Sequence, residues 1–152
     1  MRVDHINIVT NNIKKSKDFY INIIGLEETL YLDLEGAWLE SITNFQNPKA
    51  KCVFLQPDSK NCRIELLEYE NPKTTPTNIE KSQQLNHEGI RHIAFEVDNI
   101  DEIYQKTLRH GIECISAPIK VPLDIVPSGK TLCYIKAPDG VVLELAQYDR
   151  KN

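Results

Sequence analysis

The sequence has no C-x-x-C pair, no long apolar run and no excess of basic charge, and each absence removes a class of protein. Cys52, Cys62, Cys114 and Cys133 are scattered along the 152 residues. A chain of this size can fold on its core alone, so reduced structural thiols are expected rather than a disulfide framework. No stretch approaches the roughly 20 consecutive apolar residues of a membrane span, and Met1 to His5 leads into a strand-like pattern instead of a signal-peptide apolar segment, so a cytoplasmic location without a membrane partner is expected. The 18 Lys+Arg against 22 Asp+Glu leave a formal net charge of −4. That offers no basic field for a phosphate backbone, and nucleic acid is not an expected partner. A small-molecule substrate is.

What the sequence does contain is a repeat. Asp4-His5-Ile6-Asn7-Ile8-Val9-Thr10-Asn11-Asn12-Ile13 lies in register with Arg91-His92-Ile93-Ala94-Phe95-Glu96-Val97-Asp98-Asn99-Ile100, placing His5 on His92. Each copy then runs through a helical stretch to a glycine, Gly25 or Gly111. Each ends alike, in Ile64-Glu65-Leu66-Leu67-Glu68-Tyr69 and Leu143-Glu144-Leu145-Ala146-Gln147-Tyr148.

Alternation marks His5–Val9 and His92–Val97 as strands with one covered face. Asn12 and Asn99 sit at helix N-cap positions, and Gly25 and Gly111 at left-handed C′ positions. The buried stripes are expected from Ile13, Phe19, Tyr20, Ile23 and Ile24 in the first helix, and from Ile100, Ile103, Tyr104 and Leu108 in the second. Further strands are expected at Glu28–Leu34, Ala37–Ile42 with Lys51–Gln56, and Cys62–Tyr69. In the second copy they fall at Glu113–Ala117, Thr131–Lys136 and Val141–Gln147. The fold class is therefore α+β: two βαβββ modules, approximately 1–70 and 90–149, forming one curved eight-stranded mixed sheet with helices outside, in a single domain over 1–152. Residues 71–89 read as a connector with a short helix near Thr77–Leu85, and Pro118–Lys130 as a loop at the site edge.

Strand parity sets His5, Glu65, His92 and Glu144 on the concave face. Two imidazoles and two carboxylates suit one borderline divalent ion, nickel, cobalt, zinc or manganese, with room for water or substrate. Glu65 and Glu144 stand among leucines, where an unpaired carboxylate is costly. Glu68 and Gln147 fall on the opposite face. His87 and His110 are read as connector and helix-end residues. Asn7, Trp38, Tyr69, Arg91 and Tyr148 are candidate substrate contacts.

These segments, together with Gly89-Ile90-Arg91-His92-Ile93-Ala94-Phe95 and Pro138-Asp139-Gly140-Val141-Val142-Leu143-Glu144-Leu145, resemble the vicinal oxygen chelate superfamily. It includes glyoxalase I, methylmalonyl-CoA epimerase, bleomycin-resistance proteins and extradiol dioxygenases. The resemblance implies paired βαβββ modules, a homodimer, and metal ligands at His5, Glu65, His92 and Glu144. It further implies a Lewis-acid ion that stabilises an enediolate while Glu144 acts as base and Glu65 or a water returns the proton. The residues after Glu65 lack the Thr-x-Asn-Trp pattern expected near a glutathione pocket, and Glu65 stands where epimerases often have Gln. The leading expectation is a metal-dependent lyase, isomerase or epimerase of a small α-carbonyl substrate. The alternatives are an iron(II) extradiol-type dioxygenase and a non-catalytic antibiotic-binding protein.

Overall fold

The computed structural model describes residues 1–57 and 62–149, so the final residues of the expected 1–152 span lie outside it. The chain divides into two compact units, Met1–Thr77 and Asn78–Asn152, with the division inside the stretch read as a connector.

The first unit runs β1 (His5–Val9), α1 (Ile13–Phe19) with a π-helical turn (Tyr20–Ile24), β2 (Glu27–Glu35), α2 (Ala37–Thr43), β3 (Lys49–Gln56) and β4 (Arg63–Asn71). The second runs α3 (Ile79–Ser82), β5 (His92–Glu96), α4 (Ile100–Arg109), β6 (Ile119–Val121), β7 (Lys130–Lys136) and β8 (Val142–Tyr148). Each unit holds one four-stranded mixed sheet, ordered β1-β4-β3-β2 and β5-β8-β7-β6. In each, the first strand is parallel to the last, and the other neighbours are antiparallel. The α+β class and the twofold βαβββ pattern stand. Among the described residues, each unit contributes four hydrogen-bonded strands, eight in all.

Local chemistry explains the elements. Asn12 and Asn99 cap α1 and α4, their side chains accepting from the Lys15 and Glu102 amides. Gly25 and Gly111 end the helical segments at φ 90° and 68°, a region open to glycine at little cost. A carboxylate or amide from the last strand fastens each helix start: Glu68 Oε2 accepts from Ile13 N at 2.9 Å, and Gln147 Oε1 from Ile100 N at 2.8 Å. The helices lie on β3 and β4 in the first unit and on β7 and β8 in the second. Leu55, Ile64 and Leu66 are fully buried in one unit, and Ile135, Leu143 and Leu145 in the other.

Three local expectations change. Ala37–Ile42 is helical, because Gly36 at φ 101° turns the chain out of β2 and Ala37 to Thr43 hydrogen-bond locally, with Glu40 N donating to Gly36 O. Glu113–Ala117 pairs only through an isolated bridge between Cys114 and Ile135, and the sheet edge is completed by β6 inside the stretch read as a loop. In α4 Ile100 is buried as expected, but the second buried position is Thr107, while Leu108 is 43% exposed. Thr107 hides its hydroxyl by donating to Ile103 O at 2.7 Å. The expected short connector helix is present as α3.

Candidate metal centre

In the first unit, the parallel register sets Asn7 opposite Glu65 and the antiparallel register sets Phe54 opposite Glu65. His5 Nε2 lies 3.3 Å from Glu65 Oε2, and Asn7 Nδ2 donates to the same oxygen at 2.9 Å. Cys52 Sγ donates to Glu65 Oε1 at 3.5 Å. The thiol of Cys52 is pushed up to about 12 by burial first and by the Glu65 charge second, so it remains a neutral donor. Asp4 Oδ2 accepts from His5 Nδ1 at 2.9 Å and also pairs with Arg63. The His5 and Arg63 hydrogen bonds hold the Asp4 carboxyl below its ordinary value. In the tautomer that donates Nδ1–H to Asp4, the Nε2 lone pair faces Glu65, the orientation in which a second carboxylate typically holds a ligating histidine. Phe54 packs edge-on to the His5 ring at 5.7 Å and carries the Arg63 guanidinium 4.4 Å over its face.

The second unit repeats the pair with different neighbours. His92 Nε2 lies 3.5 Å from Glu144 Oε2, to which Tyr134 donates its hydroxyl at 3.1 Å. Lys130 Nζ donates to Glu144 Oε1 at 2.5 Å. Glu144 is buried, its side chain 7% exposed against 15% for Glu65. The Glu144 hydrogen bond raises the Lys130 ammonium, and burial followed by the Glu144 charge raises the Tyr134 phenol. Lys130 also sits 5.6 Å over the Tyr148 ring.

These pairs fit a divalent ion. Two ligands about 2.1 Å from a tetrahedral centre lie about 3.4 Å apart, and the His–Glu separations are 3.3 and 3.5 Å. Among the described residues no group of three or more His, Cys, Asp or Glu side chains is placed to hold one ion together, so each unit offers a His–Glu pair.

Of the candidate substrate contacts, Asn7 binds Glu65 directly. Tyr69 packs edge-on to Phe45 at 5.7 Å, and its phenol is raised by burial and then by the Glu65 charge. Tyr148 lies beside Lys130. Arg91 precedes β5, and its buried Nε has no hydrogen-bond partner among the described residues. Trp38 is on α2, half exposed, and makes none of these contacts. Sequence reading missed Asp4, Cys52, Lys130 and Tyr134. The signal for the last two was register, since Tyr134 stands opposite Glu144 and Lys130 opposite Tyr148 across β7 and β8.

The chain belongs to the Glyoxalase/Bleomycin resistance protein/Dioxygenase superfamily, whose model matches residues 2–145. It is 26% identical over 147 residues to the uncharacterized protein YaeR of Escherichia coli, covering 95% of this chain and 94% of that one. It is 26% identical over 148 residues to a mitochondrial methylmalonyl-CoA epimerase of Dictyostelium discoideum, covering 96% and 78%. A 4-hydroxyphenylpyruvate dioxygenase of Tetrahymena thermophila is 26% identical over 117 residues, 76% of this chain, which spans 26% of that protein's length. Among solved structures, a glyoxalase family protein from Bacillus cereus superposes with TM-score 0.85 at 24% identity over 97% of this chain and 94% of that one. The trypanothione-dependent glyoxalase I of Leishmania major does so with TM-score 0.68 at 18% identity over 97% and 86%. Among the described residues, no helix is long and apolar enough to cross a membrane.

Proposed function

We propose that the chain is a metal-dependent isomerase, epimerase or lyase of a small α-carbonyl compound, with His5, Glu65, His92 and Glu144 as ligands of one nickel, cobalt, zinc or manganese ion. The observation that carries this reading is the His–Glu pair built twice, at equivalent strand positions and at ligand-to-ligand spacing. Similarity to an epimerase across nearly the whole chain supports it.

A divalent ion held by these residues supplies Lewis acidity toward neighbouring oxygens of a substrate. The chain's own groups supply the proton traffic. Glu144, buried and hydrogen-bonded on both oxygens, takes the proton from the carbon beside the carbonyl. Tyr134, donating to Oε2, fixes the orientation of that carboxylate. Glu65, steadied by Asn7 and Cys52, or a water, returns a proton. The proposed partner is this small molecule, and the family resemblance adds a homodimer.

The test has two stages. Elemental analysis of protein purified without chelator or polyhistidine tag should find about one nickel, cobalt, zinc or manganese per chain. Deuterium wash-in from solvent at the carbon next to a carbonyl should then occur with the parent and drop sharply in Glu144→Gln, and equal exchange by the variant would refute the assignment of the base. A second reading, an iron-dependent dioxygenase, is supported by the dioxygenase relative and would be favoured if the metal found is iron.

A further inference from the structure

The two carboxylates occupy equivalent places but have unlike partners. Glu65 is held by an amide and a thiol, both neutral, and the register position that corresponds to Lys130 is Ala50, opposite Tyr69. Glu144 is held by an ammonium. A carboxylate at this place in the module is therefore satisfied without a cation, and the fold alone does not require Lys130.

The Lys130 side chain is 16% exposed, and among the described residues its ammonium pairs with Glu144 and interacts with Tyr148, through both the ring and the phenol. If Glu144 gives its charge to a metal ion, the ammonium keeps only Tyr148 of these partners, a ring face and a neutral phenol, and a cation so little exposed favours a new anion beside it. The ammonium reaches an oxygen of Glu144 itself, so that anion must lie immediately beside the oxygens presented to the metal. A charge at the far end of a long conjugate does not meet this condition. A carboxylate adjacent to a carbonyl does.

We propose that Lys130 is a substrate-anchoring residue that selects short 2-oxo or 2-hydroxy acid anions, holding the carboxylate next to the reacting carbonyl, with Tyr148 walling its other side. This rests on the metal-dependent reading above and narrows its substrate class.

The experiment titrates pyruvate and its neutral amide, pyruvamide, into the full chain loaded with cobalt(II), followed by calorimetry and by the visible absorption of the ion. The parent should prefer pyruvate by about tenfold or more, the scale of one charge-assisted hydrogen bond. Lys130→Met should erase the preference while still taking up cobalt, and Lys130→Arg should retain it. Equal binding of the two probes by the parent overturns the proposal without recourse to any variant. An undiminished preference in a folded Lys130→Met protein does so as well. Failure of the parent to take up cobalt overturns both this proposal and the metal-dependent reading, whereas uptake without preference overturns this one alone.

Discussion

Ala50 and Lys130 stand at the same point of the repeat, each opposite the tyrosine near the end of its module's last strand, Tyr69 or Tyr148. A methyl group in one module and an ammonium in the other give two carboxylates of identical placement different electrostatic surroundings. The consequences can be measured separately for each.

Lys130→Met leaves Glu144 buried without its cation. Breaking a buried pair by removing one partner costs about 3 kcal/mol, so the metal-free variant should unfold at lower urea concentration than the parent. On the proposed ligand set, Lys130 and a metal ion compete for the same carboxylate, so the gain in melting temperature on adding nickel should be larger in the variant than in the parent. A smaller gain would show that Glu144 does not bind the ion.

Asp4→Ala removes the acceptor on His5 Nδ1. Loss of such a supporting partner typically costs about 10–100-fold in metal affinity, and competition against a chromophoric chelator should show a drop on that scale. Asp4→Asn, which keeps an acceptor oxygen, should recover part of it. Fold stability should change little in either variant, because Asp4 is exposed.

Glu68→Ala withdraws the acceptor of the Ile13 amide. A part-buried donor left unsatisfied costs about 1–3 kcal/mol, to be read from chemical denaturation. Glu68→Gln preserves an acceptor oxygen, as Gln147 does in the other module, and should be close to neutral.

Burial pushes the thiols of Cys52 and Cys133 up to about 12 from 9.0. The folded chain holds them protonated in a range where the unfolded chain ionises them. Their contribution to stability is therefore complete below pH 9 and is lost as pH rises from 9 toward 12. Thermal melts should fall across that window, less steeply in Cys52→Ala/Cys133→Ala. At pH 8, iodoacetamide followed by mass spectrometry should modify Cys62 before either buried thiol, consistent with its partial exposure.

Much of this was legible in the sequence because the determinants are periodic and duplicated. The parity that puts His5 and Asn7 on one face of β1 needs only the count of residues, and the offset between copies points to Glu65 and Glu144 together. What was illegible depends on chain direction at single glycines or on pairing across strands. Ala37–Ile42 alternates passably as a strand, but Gly36 redirects it into α2. Lys130 and Tyr134 became neighbours of Glu144 only through the antiparallel register of β7 and β8, which no local window contains. Asp4 was passed over because it precedes β1, although it adjoins the histidine that it orients.

The fastening of each helix start to its own last strand reaches beyond the helix. Glu68 and Gln147 sit on the very strands that carry Glu65 and Glu144, so one strand secures a helix with one side chain and presents the proposed ligand with another. Every partner of that latch lies within its own module. Each module therefore carries a complete latch and a complete His–Glu pair of its own, so a substitution in one module's latch leaves the other module's latch and pair intact.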